Sequence, residues 1–242
     1  MASSPSRSRN HILALSDDNA WDWLSSRLEP MTLPANTLLE ARGQPVEWVY
    51  FPESGIASVI TESGAGHRVE SGIIGRDGMT GTGLSQGDDR CSQMIVVQIA
   101  ATALRLSASD YRTVLEENPD MRTRALLFSR AFAIQAAHTA LANGAGVLEQ
   151  RLARWLLMLH DRVDDDVLAI THDYIATMLS VRRPGVSVAL KELEEKGLVR
   201  VRRGLIEVMD RAGLLQHAGG LYGRTEEEYR RLLGWTSARA AN

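Results

Sequence analysis

Seven basic side chains fall between Ser180 and Ile206 (Arg182, Arg183, Lys191, Lys196, Arg200, Arg202 and Arg203) against three acidic ones, in a chain whose formal charge is −3 overall. A local cationic face on an acidic protein suits a polyanion. Lysine and arginine gain affinity for duplex phosphates by releasing condensed counterions, and a few side chains set in the major groove then supply sequence choice. Ser187 and Val188 lie in the same stretch on its outward side, and Thr171 stands at the start of the helical run just before it. The candidate DNA-contacting set is therefore Thr171, Arg182, Arg183, Ser187, Val188, Lys191, Arg202 and Arg203.

The elements that must position these residues are legible in the apolar spacing. Thr171 precedes a short helical run whose inward face is Ile175, Met178 and Leu179, and Ala176 offers the small residue that a close crossing needs. After a tight turn at Ser180 to Arg182, Pro184 opens a second helix at a position where a missing N–H costs nothing. Val186, Ala189, Leu190 and Leu193 mark its buried face, and Gly197 ends it in a left-handed conformation. Two alternating runs, Leu198 to Val201 and Leu205 to Val208, flank an Arg202-Arg203-Gly204 turn. The pattern predicts a winged helix-turn-helix with a basic wing.

Upstream, the texture is different. From Leu38 to Leu106, short β-rich runs (Trp48 to Phe51, Ile56 to Ile60, Arg68 to Ile74, Met94 to Ile99, Ala103 to Leu106) alternate with turn residues, which predicts a compact antiparallel barrel or roll. Residues His11 to Arg27, with a Ser16 cap and the pair Trp21 and Leu24, predict a short helix packed on it. After Ser107 the period becomes helical, with a short helix to about Asn118 and a long one from Pro119 to about Asn143. Leu127, Ala131, Ile134, His138 and Leu141 recur at spacings of 4, 3, 4 and 3, a heptad-like seam that predicts a homodimer interface. Asn143-Gly144-Ala145-Gly146 reads as a hinge, followed by an amphipathic helix from Val147 to Arg162 carrying Leu148, Leu152, Trp155, Leu156 and Leu159 inward. The fold class is thus α+β, with a sensor-type roll over 11–118, a dimerisation helix over 119–143 and the DNA-binding domain over 147–235.

This order of parts resembles the Crp/Fnr superfamily of bacterial transcription regulators, most specifically in RLARWLLMLHDRV (151–163) and SVRRPGVSVALKELEEKGLVRVRRGLIEVMD (180–210). The resemblance implies an N-terminal cyclic-nucleotide-binding-like double-stranded β-helix, a homodimer on a palindromic duplex site, and contact with RNA polymerase. The family's recognition helix opens with arginine, glutamate and a second arginine. Arg183 keeps the first place, Pro184 replaces the acid and Val188 the second arginine, so the half-site should differ; Val188 suits a thymine methyl and Ser187 a phosphate or base edge. Cyclic-nucleotide-binding members carry a glycine-glutamate pair for the ribose and an arginine-serine or arginine-threonine pair for the phosphate. This chain has Gly81-Thr82 and Arg90-Cys91-Ser92 there, so cyclic-nucleotide control is disfavoured and no cofactor is expected; Gly81, Thr82, Arg90 and Ser92 are the candidate effector residues. Arg90 either faces solvent, pairs with Asp88 or Asp89, or meets an anionic ligand.

Other chemistries find little support. The single cysteine, Cys91, excludes intrachain disulfides and cysteine-rich metal sites, and six scattered histidines lack helical metal-pair spacing, so no metal is expected. Asp164 to Asp166 form an acidic run that reads as a solvated loop, unaccompanied by a nucleophile elbow or phosphate-binding glycine loop, so the chain is not read as an enzyme. The polar, basic start lacks a signal-peptide core, and no apolar run approaches the ~20 residues that span a bilayer, which predicts a cytoplasmic protein without membrane contact. The alternative function is a small-molecule or cyclic-nucleotide-binding module whose winged domain makes protein contacts.

Overall fold

The structure, a computed structural model, describes residues 7–237 and 239; most of the polar start, residues 1–6, lies outside the described residues. In chain order the elements are α1 (His11–Ala14), α2 (Asp18–Ser25), β1 (Glu29–Leu33), β2 (Leu38–Glu40), β3 (Trp48–Pro52), β4 (Ile56–Glu62), β5 (Arg68–Ile74), α3 (Thr82–Ser85), β6 (Met94–Ile99), β7 (Ala101–Ser107), α4 (Ala108–Glu117) and α5 (Pro119–Ala145). Then follow α6 (Leu148–His160), β8 (Val167–Leu168), α7 (His172–Met178), α8 (Arg183–Glu195), β9 (Val199–Arg202), β10 (Leu205–Val208), α9 (Arg211–His217) and α10 (Arg224–Leu233). The expected α+β class holds: antiparallel sheets come first, a long helix follows, and a winged helix-turn-helix lies toward the C-terminus.

Two sheets belong to the N-terminal part. One runs β1-β7-β3, with Met31 opposite Ala103 and Tyr50 opposite Arg105; the other runs β2-β6-β4-β5. The chain divides into two compact units, the first comprising residues up to Ala57 with Ile74–Ala131, the second Ser58–Ile73 with the chain from Phe132 onward. Strands β4 and β5 carry the chain from the first unit into the second and back.

In the first unit Leu33, Tyr50, Val97, Ala101 and Ala103 form a buried cluster, with Met31, Leu39 and Trp48 packed against it. The expected single helix before the sheet is two, because Asn10 and Asp17 each cap one. Asn10 Oδ1 accepts from the Ile12 and Leu13 amides while its Nδ2 donates to the carbonyls of Pro52 (2.9 Å) and Gly78 (2.7 Å). Asp17, not Ser16, caps α2 by accepting from the Ala20 amide at 2.7 Å; the Ser16 hydroxyl is buried without a partner. At Gly78 a Cβ would overlap the Phe128 ring of α5, so this close approach needs glycine.

In the second unit the Gln135 side chain, wholly buried, pairs with the backbone of β5: Ile73 N–H donates to its Oε1 at 2.6 Å and its Nε2 donates to the Ile73 carbonyl at 3.3 Å. Leu152, Trp155, Leu156 and Leu159 of α6 are buried as their spacing predicts. Helix α5 continues through Ala145, past the start of the expected break, and only Gly146 and Val147 separate it from α6. Asp164 to Asp166 are not simply solvated, since Asp166 accepts a hydrogen bond from, or pairs with, His160 Nε2 at 2.8 Å and also binds Arg239. Among the described residues no helix is long and apolar enough to cross a membrane.

Candidate nucleic-acid interface

Local chemistry builds the reading head from the chain outward. The Tyr174 amide donates to Thr171 Oγ1 at 3.2 Å, so Thr171 caps α7 as expected. At the other end Ser180 sits at φ 51°, its amide donating to the Thr177 carbonyl (3.2 Å) and the next amide, Val181, to Ala176 (2.9 Å). These two bonds are the Schellman pattern, and they make the turn between the helices with serine where glycine is usual. Arg182 stands at the cap of α8, Arg183 is its first residue and Pro184 its second, one place later than the sequence suggests; the missing N–H is still one that no helical carbonyl requires. Val186, Ala189 and Leu193 of α8 and Ile175 of α7 are wholly buried, with Leu190 at 1% exposure. Gly197, at φ 71°, ends α8 with a second Schellman pair, Gly197 N–H to Glu194 O and Leu198 N–H to Leu193 O.

The wing pairs Leu205 with Arg202 and Val208 with Val199, so the loop proper is Arg203-Gly204, with Gly204 at φ 73°. A third strand, β8, borders β10 through Leu168 opposite Ile206, an addition that two residues of alternation were too short to signal. The Val201 amide donates to Glu194 Oε1 at 2.8 Å and thereby ties the wing to α8.

Six members of the candidate set lie on this exposed end of the head or on its wing. Thr171, Arg183, Arg202 and Arg203 line one cleft of about 390 Å³, together with His172, Asp173, Val201 and Gly204. Ser187 borders it through its hydroxyl, 3.1 Å from His172 Nδ1 and donating to the Arg183 carbonyl at 3.3 Å. Val188 is 57% exposed, a large exposure for an apolar side chain with no structural task. Arg182 instead lines a second groove with Glu62, His67, Arg68 and Ser180, and Lys191 pairs with Glu195 along the helix at 3.5 Å.

Several of these cations are held by anions that the sequence reading missed. Arg183 Nε lies 3.2 Å from Asp173 Oδ1 with both side chains largely exposed, and Glu207 takes Arg200 at 3.0 Å and Arg202 at 4.0 Å. Exposed pairs of this kind contribute about 0 to 1 kcal/mol, less than a charge-assisted bond to phosphate or a bidentate contact to guanine, so they orient the arginines without withholding them. Asp173 in the first turn of a capped helix was the available signal.

The four candidate effector residues all lie in the first unit. Arg90 is exposed; its guanidinium donates to the Gly43 carbonyl at 3.1 Å, and its backbone amide, not its side chain, binds Asp88 Oδ1. Ser92 is exposed as well. Gly81, at φ 69°, precedes α3, which begins at Thr82, and the Gly81 amide donates to Glu40 Oε1 at 2.6 Å. Burial pushes the Glu40 carboxyl above its ordinary value, and bonds to the Gly81 amide, Cys91 and Thr80 pull it back. A cavity of about 660 Å³ in the same unit is lined by Leu84, Asp88, Asp89, Arg112, Arg122 and Leu126 among others, and contains none of the four.

On α5 the own-chain face is Met121, Ala125, Phe128 and Ala131 in the first unit, then Gln135 and Ala142 in the second. Ala131, expected in the dimer seam, is therefore a core residue with no exposed surface: the seam and the own-chain face are adjacent stripes, and spacing alone does not separate them. Leu141 is 54% exposed, and Leu127, Ile134 and His138 are partly exposed.

Comparison with known proteins follows the same outline. Residues 150–217 match the Crp-like helix-turn-helix domain family. Solved structures similar over most of the chain include FixK2 of Bradyrhizobium japonicum (16% identity, TM-score 0.67, 78% of this chain and 96% of that one). A putative transcriptional regulator of the crp/fnr family from Eubacterium rectale gives 16% identity, a TM-score of 0.64 and coverage of 85% and 96%. The CRP-family transcriptional regulator TTHB099 of Thermus thermophilus gives 20% identity, a TM-score of 0.63 and coverage of 79% and 97%. No curated protein matches by sequence.

Proposed function

We propose that this chain, similar in fold to Crp/Fnr regulators and matching a Crp-like helix-turn-helix domain over residues 150–217, is a sequence-specific, duplex-DNA-binding transcription regulator of the cytoplasm, acting as a homodimer on a palindromic site. The observation that carries the reading is the convergence of Thr171, Arg183, Arg202 and Arg203, from two helices and the wing, on one exposed cleft. Arg183, Ser187 and Val188 choose bases, the arginine by its fork, the valine through a thymine methyl. Thr171, Arg182, Lys191, Arg202 and Arg203 hold phosphates. Leu127, Ile134, His138 and Leu141 meet their symmetry mates along α5, and a two-fold pair of heads then reads two half-sites about one helical turn apart. RNA polymerase is the downstream partner.

The sensor unit is a degenerate one. The Gly81 amide, at the family's ribose position, is already bonded to Glu40 Oε1, and exposed Arg90, at its phosphate position, is spent partly on the Gly43 carbonyl. A ligand at either place would have to displace these bonds, which disfavours it.

Fluorescence-anisotropy titration with genomic fragments at moderate salt tests the DNA reading. We expect some fragments to bind at least a thousandfold more tightly than random duplex, the lower end for specific recognition. Uniform binding across all fragments, or none, overturns the proposal and favours a head that contacts protein.

A further inference from the structure

Outside the reading face, the second unit buries a carboxyl group that the DNA reading does not use. Glu70 of β5 is 4% exposed, and the Trp155 indole N–H of α6 donates to its Oε1 at 2.6 Å, while its Oε2 is buried without a hydrogen-bond partner. One residue of the paired strand, Ser58 of β4, bears on the same carboxyl and also accepts a hydrogen bond from the Tyr174 hydroxyl of α7 at 3.2 Å. Hairpin 58–73 is thereby joined to the helix before the reading head and to the first helix of the head itself. A cavity of about 10 Å³, large enough for about one water, lies at this junction; its walls include Glu70, Arg151, Arg154, Trp155 and Leu179.

We propose that Glu70 is a proton-binding site, and that its protonation governs how firmly the β4–β5 hairpin is docked on α6 and α7. The proton, on this view, is an effector of the regulator. A neutral carboxylic acid tolerates this enclosed setting more readily than a carboxylate does, because burial penalises the charged form. Arg154 of α6 and Arg162 in the turn after it favour the ionised form, yet Arg154 spends its Nε on the Leu221 carbonyl and an Nη on Thr139, and Arg151 of α6 donates to the Leu179 carbonyl. From α7, Tyr174 is itself pushed up to about 12 by burial and stays neutral at physiological pH. From α5 the cavity walls are the uncharged Thr139, Ala142 and Asn143. Burial outweighs the hydrogen bonds from Ser58 and Trp155 and the pull of the two arginines, and holds the Glu70 carboxyl up at about 7.

The sign follows from linkage. The docked hairpin keeps a proton that the released hairpin, with a carboxyl near its ordinary 4.5, gives up, so docking is firmest in acid and weakens as pH rises toward 7. Between pH 5.5 and 7.5 the docking equilibrium falls by roughly twentyfold.

Hydrogen exchange of residues 58–73 in the full chain, without DNA and corrected for the intrinsic pH dependence of exchange, reads docking directly. The expected result is that fall of roughly twentyfold in protection between pH 5.5 and 7.5 for the native chain, and a flat response for Glu70→Gln, which keeps the shape and loses the proton. Should the variant fail to fold, carbon NMR of the Glu70 carboxyl in the native chain decides: a midpoint near 7 sustains the proposal. Titration in the ordinary carboxyl range, flat protection in the native chain, or the same loss in both chains overturns it. Because no DNA is present, failure of the DNA reading leaves this result intact. Any consequence for promoter binding rests on that reading.

Discussion

Arg183 and the wing arginines carry the same charge into different tasks, and the surroundings of each predict how their removal differs. Arg183 opens α8 beside Asp173 and behind Ser187, a position oriented enough for a fork to meet one base pair. Arg183→Ala should cost about 1 to 3 kcal/mol at that base pair and flatten the difference between cognate and altered half-sites in anisotropy titrations. Arg203, in the two-residue loop, and Arg202, at its edge with Glu207 at 4.0 Å, stand on the wing and not on the helix that reads bases. Arg202→Ala and Arg203→Ala should each weaken every duplex alike and lower the slope of log affinity against log salt by about 1. If all three variants lose affinity uniformly, the division of roles is wrong. The cations were legible because a charge cluster needs only a count along the chain. Asp173, Glu40 and Glu70 were not, since a carboxylate acquires its meaning from a neighbour that is distant in sequence: Gly81 for Glu40, Trp155 for Glu70.

At the scale of elements, the turn between α7 and α8 is closed by a serine in the left-handed region, where an L side chain costs about 1 to 2 kcal/mol. Ser180→Gly relieves that strain and loses about 0.4 to 1 kcal/mol to the freer unfolded chain, so we expect a net stabilisation of about 0 to 1.6 kcal/mol. Urea unfolding followed by circular dichroism would register it as a higher midpoint at unchanged slope; a lower midpoint would show that the Ser180 side chain has work here beyond the turn. Leu193, wholly buried on the inner face of α8, is the opposite case. Leu193→Ala should cost about 2 to 5 kcal/mol, and with it the fixed angle between the two helices. Strands β3, β5 and β6 were readable to within a residue because each is a run rich in β-branched, aromatic or other apolar residues, set between turn-forming segments. Strand β8, with two residues, and the paired caps Asn10 and Asp17 were not, since a short element owes its form to what it pairs with.

For the whole molecule, the assembly prediction turns on which side of α5 is already in use. Ile134→Asp, on the partly exposed seam, should convert a dimer to a monomer in sedimentation velocity with little change in far-ultraviolet circular dichroism. Ala131→Asp should unfold its own unit instead, because that side chain has no exposed surface. A dimer unmoved by Ile134→Asp would shift the interface to another face of the helix. What the sequence determined by itself was the order of the parts, the winged helix-turn-helix with its inward and outward faces, and the cationic end of that head. Each follows from periodicity or local charge, which neighbours along the chain decide. Tertiary structure alone decided that Ala131 belongs to a core, that Glu40 holds the amide before α3, and that residues 58–73 form one compact unit with the reading head. Those outcomes depend on burial and on partners brought together across scores of residues, and a carboxyl such as Glu70 has its ordinary acidity until folding removes its water.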